Sequence, residues 1–239
     1  MKKILISDID GTLIRNGKVA TDRIKLEKFR NSNTFVLCTG RNYDSFNSFV
    51  QKYSFDTFDF AILSNGAMLI DKAFNILYAK KIGLTELKEQ VTKLVEITGI
   101  NRLFLVINLK EITFNTVTAL SKALEAVKET DTIIGLTIEL TSKQAAQVCF
   151  NKINRNTSLS IQHNHSYIDI IVKGTSKKVG IETLLSKLAY SSVQVIGDGQ
   201  NDIPMFEVTK ESYTFYDSPE IVKDKANFFV EFYDDIFEI

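Results

Sequence analysis

Apolar runs mark the two ends of the chain. Ile4 to Ser7, Phe35 to Cys38 and Phe60 to Leu63 carry successive apolar residues, with Ser7 polar at the end of the first, and Val193 to Ile196 is a further short strand that contains Gln194. Strands of that kind are buried on both faces, which predicts a parallel sheet with helices on either side. Helical periodicity fills the gaps between them. Thr21 to Arg30 is expected as a helix with Thr21 as candidate cap and Asp22 in its first turn. Asn42 to Lys52 places Phe46, Phe49, Val50 and Tyr53 on one face, and Lys177 to Ala189 follows the same spacing. Hairpins are expected at Thr12 to Ala20, turning at Asn16-Gly17, and at Ala67 to Lys80. Helix-like Asn201 to Val208 and short strands Tyr213 to Tyr216 and Phe228 to Val230 complete this part.

The middle of the chain reads differently. Helices are predicted over Thr85 to Thr98, stopping at Gly99, over Thr116 to Lys128 and over Ser142 to Asn154. Strands are predicted at Leu103 to Leu109, Ile133 to Leu140, Ser158 to Ile161 and Tyr167 to Val172. Ile134-Gly135-Leu136-Thr137-Ile138-Glu139-Leu140 alternates apolar with small or polar residues, the mark of an antiparallel sheet with helices on one face only. The expected assembly is an α/β core with a Rossmann-like parallel sheet, built from residues 1–81 and 173–239, with an α+β module inserted at 82–172.

Composition narrows the setting. The 239 residues are 44% hydrophobic and 24% charged, as in ordinary globular proteins. Lys plus Arg and Asp plus Glu both number 29, so no global field points to nucleic acid or an anionic membrane as partner. Asp8 and Asp10 interrupt the first apolar run too early for a signal peptide. Cys38 and Cys149 lie in apolar segments without paired spacing, consistent with reduced thiols in a cytoplasmic protein, expected as a monomer or weak homo-oligomer. His163 and His165 have strand spacing, but two imidazoles do not close a zinc site. The acidic aromatic tail Glu231 to Ile239 is compatible either with packing on the core or with binding a partner.

Candidate chemistry emerges from the strand ends. In a parallel sheet the ligand crevice lies beyond the carboxyl ends of the strands. There the first strand delivers Asp8 and Asp10, the second Thr39-Gly40-Arg41, the third Ser64-Asn65-Gly66, and the fourth Asp198, Asn201 and Asp202. Two carboxylates about 4 Å apart repel by roughly 4 kcal/mol at an effective dielectric of 20, so such a cluster calls for a cation. Hard oxygen ligands suit Mg²⁺, and Lys177 offers a second positive charge.

These stretches resemble the haloacid dehalogenase superfamily of phosphotransferases. Asp8-Ile9-Asp10-Gly11-Thr12 is similar to its first motif, Thr39-Gly40-Arg41 to the second, Gly174-Thr175-Ser176-Lys177 to the third and Gly197-Asp198-Gly199-Gln200-Asn201-Asp202 to the fourth. The insertion between the second and third motifs, with Asn65-Gly66-Ala67, resembles the Cof-type branch (subfamily IIB), whose α/β cap would close over the core site. Lys178 and Gly180 stand where Gly and Ala are more usual, and Thr214 to Ser218 replaces a commoner small-residue segment.

The resemblance implies roles. Asp8 would be the nucleophile and Asp10 the general acid and base. Mg²⁺ would be held by the Asp8 carboxylate, the Asp10 backbone carbonyl and Asp198, with Asp202 close by. Thr39, Gly40, Lys177 and Asn201 would bind the phosphoryl group, and Arg41, Asn65 and Gly66 would face the substrate. The implied activity is hydrolysis of a small phosphorylated metabolite, a sugar phosphate foremost, through an aspartyl phosphate. A phosphomutase, a glycosyl-phosphoglycerate or sucrose-phosphate phosphatase, and a catalytically idle regulatory or binding protein are the alternatives. The hairpin at Asn16-Gly17 would act as a flap beside the site.

Overall fold

The computed structural model of the chain describes residues 2–153 and 158–238. In chain order the strands are β1 (Lys2–Ser7), β2 (Ile14–Arg15), β3 (Lys18–Val19), β4 (Thr34–Cys38), β5 (Phe60–Leu63), β6 (Met68–Asp71), β7 (Ile76–Ala79), β8 (Ile100–Ile107), β9 (Lys110–Phe114), β10 (Ile133–Leu140), β11 (Leu159–Asn164), β12 (Tyr167–Val172), β13 (Tyr190–Ile196), β14 (Glu211–Phe215) and β15 (Phe228–Val230). The helices are α1 (Arg23–Arg30), α2 (Tyr43–Tyr53), α3 (Leu84–Leu94), α4 (Val117–Glu125), α5 (Lys143–Ile153), α6 (Lys177–Leu185), α7 (Ile203–Phe206) and α8 (Glu220–Lys223). Single 3₁₀ turns lie at Ser64–Gly66, Gln200–Asp202 and Tyr233–Phe237. No helix of the described residues is long and apolar enough to cross a membrane. The chain divides into two units: Met1–Arg41 with Phe46–Tyr78 and Ser176–Ile239, and Asn42–Ser45 with Ala79–Thr175.

In the first unit the sheet runs β15-β14-β13-β1-β4-β5-β6-β7, parallel from β15 to β5 and antiparallel at β6. The apolar runs are continuous because each strand feeds two cores. Ile4, Ile6, Val36, Cys38, Val193 and Val195 pack with Ile181 and Leu184 of α6 and with Met205 and Phe206 of α7. Leu5, Phe35 and Leu37 alternate to the opposite face and are equally buried, and there α1 lies against β4. β2 and β3 form the expected hairpin, with Asn16 and Gly17 in left-handed conformation at its turn.

The cap of α1 differs from expectation. Asp22, not Thr21, accepts the Ile24 N–H at 2.8 Å, while the Thr21 hydroxyl donates to Asp234 at 2.6 Å. That second bond belongs to the C-terminal segment, which packs on this unit: Tyr233 and Ile236 are buried and the Phe237 ring lies 5.7 Å from Phe29. Ile239, the last residue of the tail considered above, lies outside the described residues.

The second unit is an antiparallel sheet, β11-β12-β10-β8-β9, among the described residues. Leu103, Leu105, Leu136, Ile138, Ile168 and Ile170 pack with Leu87 and Val91 of α3, Leu120 and Leu124 of α4 and Cys149 of α5. β9 was not expected. Asn108 and Leu109, at φ 49° and 67°, make the two-residue turn that joins it to β8. A leucine at the second turn position conceals a hairpin that Asn-Gly would have announced. Helix α3 stops at Leu94 instead of Thr98, and α6 at Leu185 instead of Ala189. Each end tightens into i→i+3 bonds, Ile97 N to Leu94 O in one and Leu188 N to Leu185 O in the other. Asn154, the expected end of the third helix here, lies outside the described residues.

The two histidines do not share a strand face. His163 is on β11, stacked 5.9 Å from Phe150, whereas His165 sits in the following turn at φ 51°.

Candidate active site

Every candidate residue named above lies in the first unit, at the carboxyl edge of the parallel sheet. β1 ends at Ser7, and the next peptide keeps the sheet register, with Asp8 N–H donating to Ile196 O at 3.0 Å. The Ser7 hydroxyl donates to the Asp8 carbonyl at 2.7 Å, which fixes that peptide and aims the Asp8 side chain. Lys177 is the first residue of α6, whose cap is the Ser176 side chain. Its ammonium reaches Asp8 Oδ1 at 2.5 Å and Asp202 Oδ1 at 2.6 Å, with the lysine side chain wholly shielded from solvent.

Two left-handed glycines make this convergence possible. Gly66, at φ +97°, brings its backbone against the start of α6: a β-carbon there would stand 2.1 Å from Ser176 O. Gly11, at φ +91°, passes so close to Asp198 that a β-carbon would lie 2.2 Å from Oδ2. Thr12, next in the chain, donates to Asp198 Oδ1 at 2.7 Å. The fourth-strand loop holds itself, since Asp202 Oδ2 accepts the N–H groups of Asp198 and Gly199 at 3.0 and 2.8 Å. One carboxylate oxygen from each of Asp8, Asp198 and Asp202 lies within 4.8 Å of the others.

The electrostatics follow from burial. Asp8 is pushed well above the usual carboxylate range by loss of water, then by the charge of Asp202, against the pull of Lys177. Burial works against the Lys177 charge, yet Asp202 and Asp8 outweigh it and keep the ammonium protonated. Asp198 is raised to about 6, chiefly by burial. Three carboxylates and one ammonium sum to a net charge of two minus, and their oxygens are hard donors, so the set fits a divalent cation such as Mg²⁺. Cys38, beneath the cluster, is raised by burial beyond any thiolate role at neutral pH, and Cys149 is raised to about 11.

The remaining residues are arranged as follows. The Asp10 carboxylate is half exposed and stands apart from that trio. Arg41 grips both its oxygens, from Nε at 2.8 Å and Nη2 at 2.7 Å. Thr39 is buried, and its hydroxyl accepts the Arg41 N–H at 3.1 Å. The loops after β4 and β5 are laced together by Ser64 N to Arg41 O at 2.8 Å and Asn65 N to Thr39 O at 3.0 Å. Those bonds hold Ser64 and Asn65 at φ 48° and 50°, a costly conformation for residues with a β-carbon. Asn65 is buried, Gly40 is exposed next to it, and Asn201 is half buried in the turn before α7. Reasoning from sequence assigned no task to Ser7 or to the Thr12 hydroxyl. Thr12 was findable, because a hydroxyl directly after Asp-Gly is placed to meet whatever carboxylate that turn faces.

Comparison with known proteins gives the family and the fold. The model of a family described as haloacid dehalogenase-like hydrolase matches residues 5–236. An uncharacterized protein of Mycoplasma capricolum subsp. capricolum is 29% identical over 269 residues, covering 100% of this chain and 99% of its own. Among solved structures, the HAD subclass IIB sugar phosphatase BT4131 superposes with a TM-score of 0.75 at 20% identity, over 98% of this chain and 95% of that one. SMU.1108c from Streptococcus mutans UA159 gives 0.78 at 22% identity, over 99% and 96% of the two chains. At such identities the structural likeness is one of fold.

Proposed function

The chain belongs to the haloacid dehalogenase-like hydrolase family, and from that premise we propose that it is a Mg²⁺-dependent phosphomonoester hydrolase acting on a small phosphorylated metabolite, with sugar phosphates first among candidates. The observation that carries this reading is the water-shielded Asp8 carboxylate, 2.5 Å from a buried lysine and grouped with Asp198 and Asp202. A charge cluster so costly to bury is a poor device for stability, and once a divalent cation offsets its net negative charge it is suited to binding a phosphoryl group. The fold is shared with a sugar phosphatase, which is why sugar phosphates stand first among the substrates to be tested.

In the proposed reaction Asp8 attacks phosphorus and the bond from phosphorus to the ester oxygen breaks. The Asp10 carboxyl gives its proton to the departing alcohol. A water then loses a proton to Asp10 and attacks the aspartyl phosphate, which releases inorganic phosphate and restores Asp8. Arg41 grips both Asp10 oxygens and would have to free one of them for Asp10 to carry the proton it donates. Lys177, Thr39, Gly40 and Asn201 would steady the phosphoryl oxygens, and Asn65 and Gly66 would border the group being released. Asp8, Asp198 and the Asp10 carbonyl, with Asp202 beside them, would hold Mg²⁺, which when bound supplies charge neutralisation to the phosphoryl group.

The test is phosphate release from a panel of sugar phosphates, nucleotides and phosphoglycerates, with Mg²⁺ or with EDTA. We expect release with Mg²⁺ alone, and loss of at least about a thousandfold in a folded Asp8→Asn variant. Turnover retained by Asp8→Asn would remove Asp8 as nucleophile. Silence of the wild type across the whole panel would favour a regulatory role.

A further inference from the structure

Arg15 ends β2, the first strand of the hairpin beside the site, and makes three contacts. Its Nη1 donates to the Gly11 carbonyl at 3.1 Å, its Nη2 pairs with Asp217 at 2.5 Å, and its guanidinium carbon stands 4.0 Å over the Phe215 ring. Phe215 closes β14 and Asp217 follows it, in the stretch where this sequence departs from the small residues its resemblance would favour. The backbone bonds Gly11 N to Ile14 O and Ile14 N to Ile9 O stay within the loop and its hairpin. Beside the buried Ile9 and Leu13 and the bond from Thr12 to Asp198, Arg15 adds a tie from that loop to the end of β14.

The loop in turn bears on Asp198 from two sides. The Gly11 backbone leaves no room for a β-carbon beside one carboxylate oxygen, and the Thr12 hydroxyl donates to the other. A displacement of the Gly11 peptide is therefore transmitted to Asp198 directly. We propose that Arg15 is a positioning residue: by fixing the Gly11 carbonyl against Asp217 and Phe215, it sets the Asp198 carboxylate where a divalent cation is held. This rests on the cation-dependent reading of the site given above.

Charge and position make opposite predictions. Arg15 is near enough for its charge to stabilise the ionised form of Asp198. If that field were its whole contribution, removing it would leave the carboxylates more negative in their surroundings and Mg²⁺ would bind more tightly. If Arg15 positions the loop, removing it weakens Mg²⁺ binding, by about tenfold on the scale of other lost outer contacts to metal ligands.

The experiment is Mg²⁺ titration of the full chain, by calorimetry and by the rise in melting temperature, on wild type, Arg15→Gln, Arg15→Lys and Asp217→Asn. Arg15→Gln and Arg15→Lys should both weaken binding, because lysine keeps the charge and loses the planar fork. Asp217→Asn should weaken it less, and adding it to Arg15→Gln should change nothing further. Equal or tighter Mg²⁺ binding by Arg15→Gln would overturn the inference and leave the proposed function standing. Should Arg15→Gln fail to fold, wild-type affinity in both Arg15→Lys and Asp217→Asn would overturn it instead. A wild type that binds no Mg²⁺ would overturn both together.

Discussion

Each unit carries an ion-pair network with nearly the same contact distances. In the first, Lys177 lies 2.5 Å from Asp8 and 2.6 Å from Asp202, with the three side chains 0, 6 and 1% exposed. In the second, Arg102 lies 2.6 Å from Glu139 with the two side chains 49 and 12% exposed, and Asn101 and Tyr167 donate to the same carboxylate. Length does not separate them; water does. Removing ions from water carries a penalty of several kcal/mol each, so the buried network is retained at the expense of stability, while the exposed one is screened and nearly neutral. Close ion pairs therefore identify a working site only when the solvent has been taken away from them.

The sharpest way to break this contrast is to remove one partner from the buried set. Lys177→Met should destabilise the protein by about 3–5 kcal/mol near neutral pH, because two carboxylates are then left buried without their cation. Chemical denaturation would measure it. The loss should shrink on acidification, since Asp8 is already raised and would take up a proton more readily without the lysine. An unchanged unfolding midpoint would mean that water enters the cluster and that the two networks do not differ in kind.

A smaller effect concerns pH and the cation together. Asp198 moves from an ordinary 3.8 to about 6 in the folded chain without metal. Between those values the folded state holds more proton than the unfolded one, so stability should fall as pH rises from about 4 to 6, by at most about 3 kcal/mol, and level off above. In EDTA, wild type should thus gain stability on mild acidification relative to Asp198→Asn, which lacks the titrating group. Saturating Mg²⁺ should reverse the sign, because protons then compete with the cation for the same oxygens. Parallel melting curves of wild type and Asp198→Asn across that range, with and without Mg²⁺, would dissolve the coupling.

How much of this was legible in the sequence depends on the range of the interaction. Continuous apolar runs located β1, β4 and β5 because burial on both faces is a local signal, repeated residue by residue, and β13 was legible from Val193, Val195 and Ile196 despite the buried Gln194 between them. The convergence of Asp8, Asp198 and Asp202 followed from topology, since parallel strands deliver their carboxyl ends to one edge. Side-chain partnerships across the fold were not legible in that way. Arg41 was read as facing the substrate, and its grip on Asp10 joins residues 31 apart. The contact of Arg15 with Asp217 spans 202 residues and rests on two loops whose course no periodicity encodes. Boundaries failed where geometry overrode propensity, as at Asn108-Leu109, where a leucine occupies a left-handed turn position.

The exposed network supplies the weakest perturbation and the control for the rest. Arg102→Gln should leave the melting temperature within the scatter of replicate measurements, at low salt and at high salt alike. Two features argue for that outcome. Arg102 is half solvated, so its guanidinium keeps much of its hydration in the pair and gains little from Glu139, whose side chain is 12% exposed. Glu139 also keeps the Asn101 amide at 3.0 Å and the Tyr167 hydroxyl at 3.1 Å, so no acceptor is stranded by the change. A salt-insensitive loss comparable to that of Lys177→Met would show that this pair too is shielded in solution, and the distinction drawn between the two units would then rest on Asp8, Asp198 and Asp202 alone.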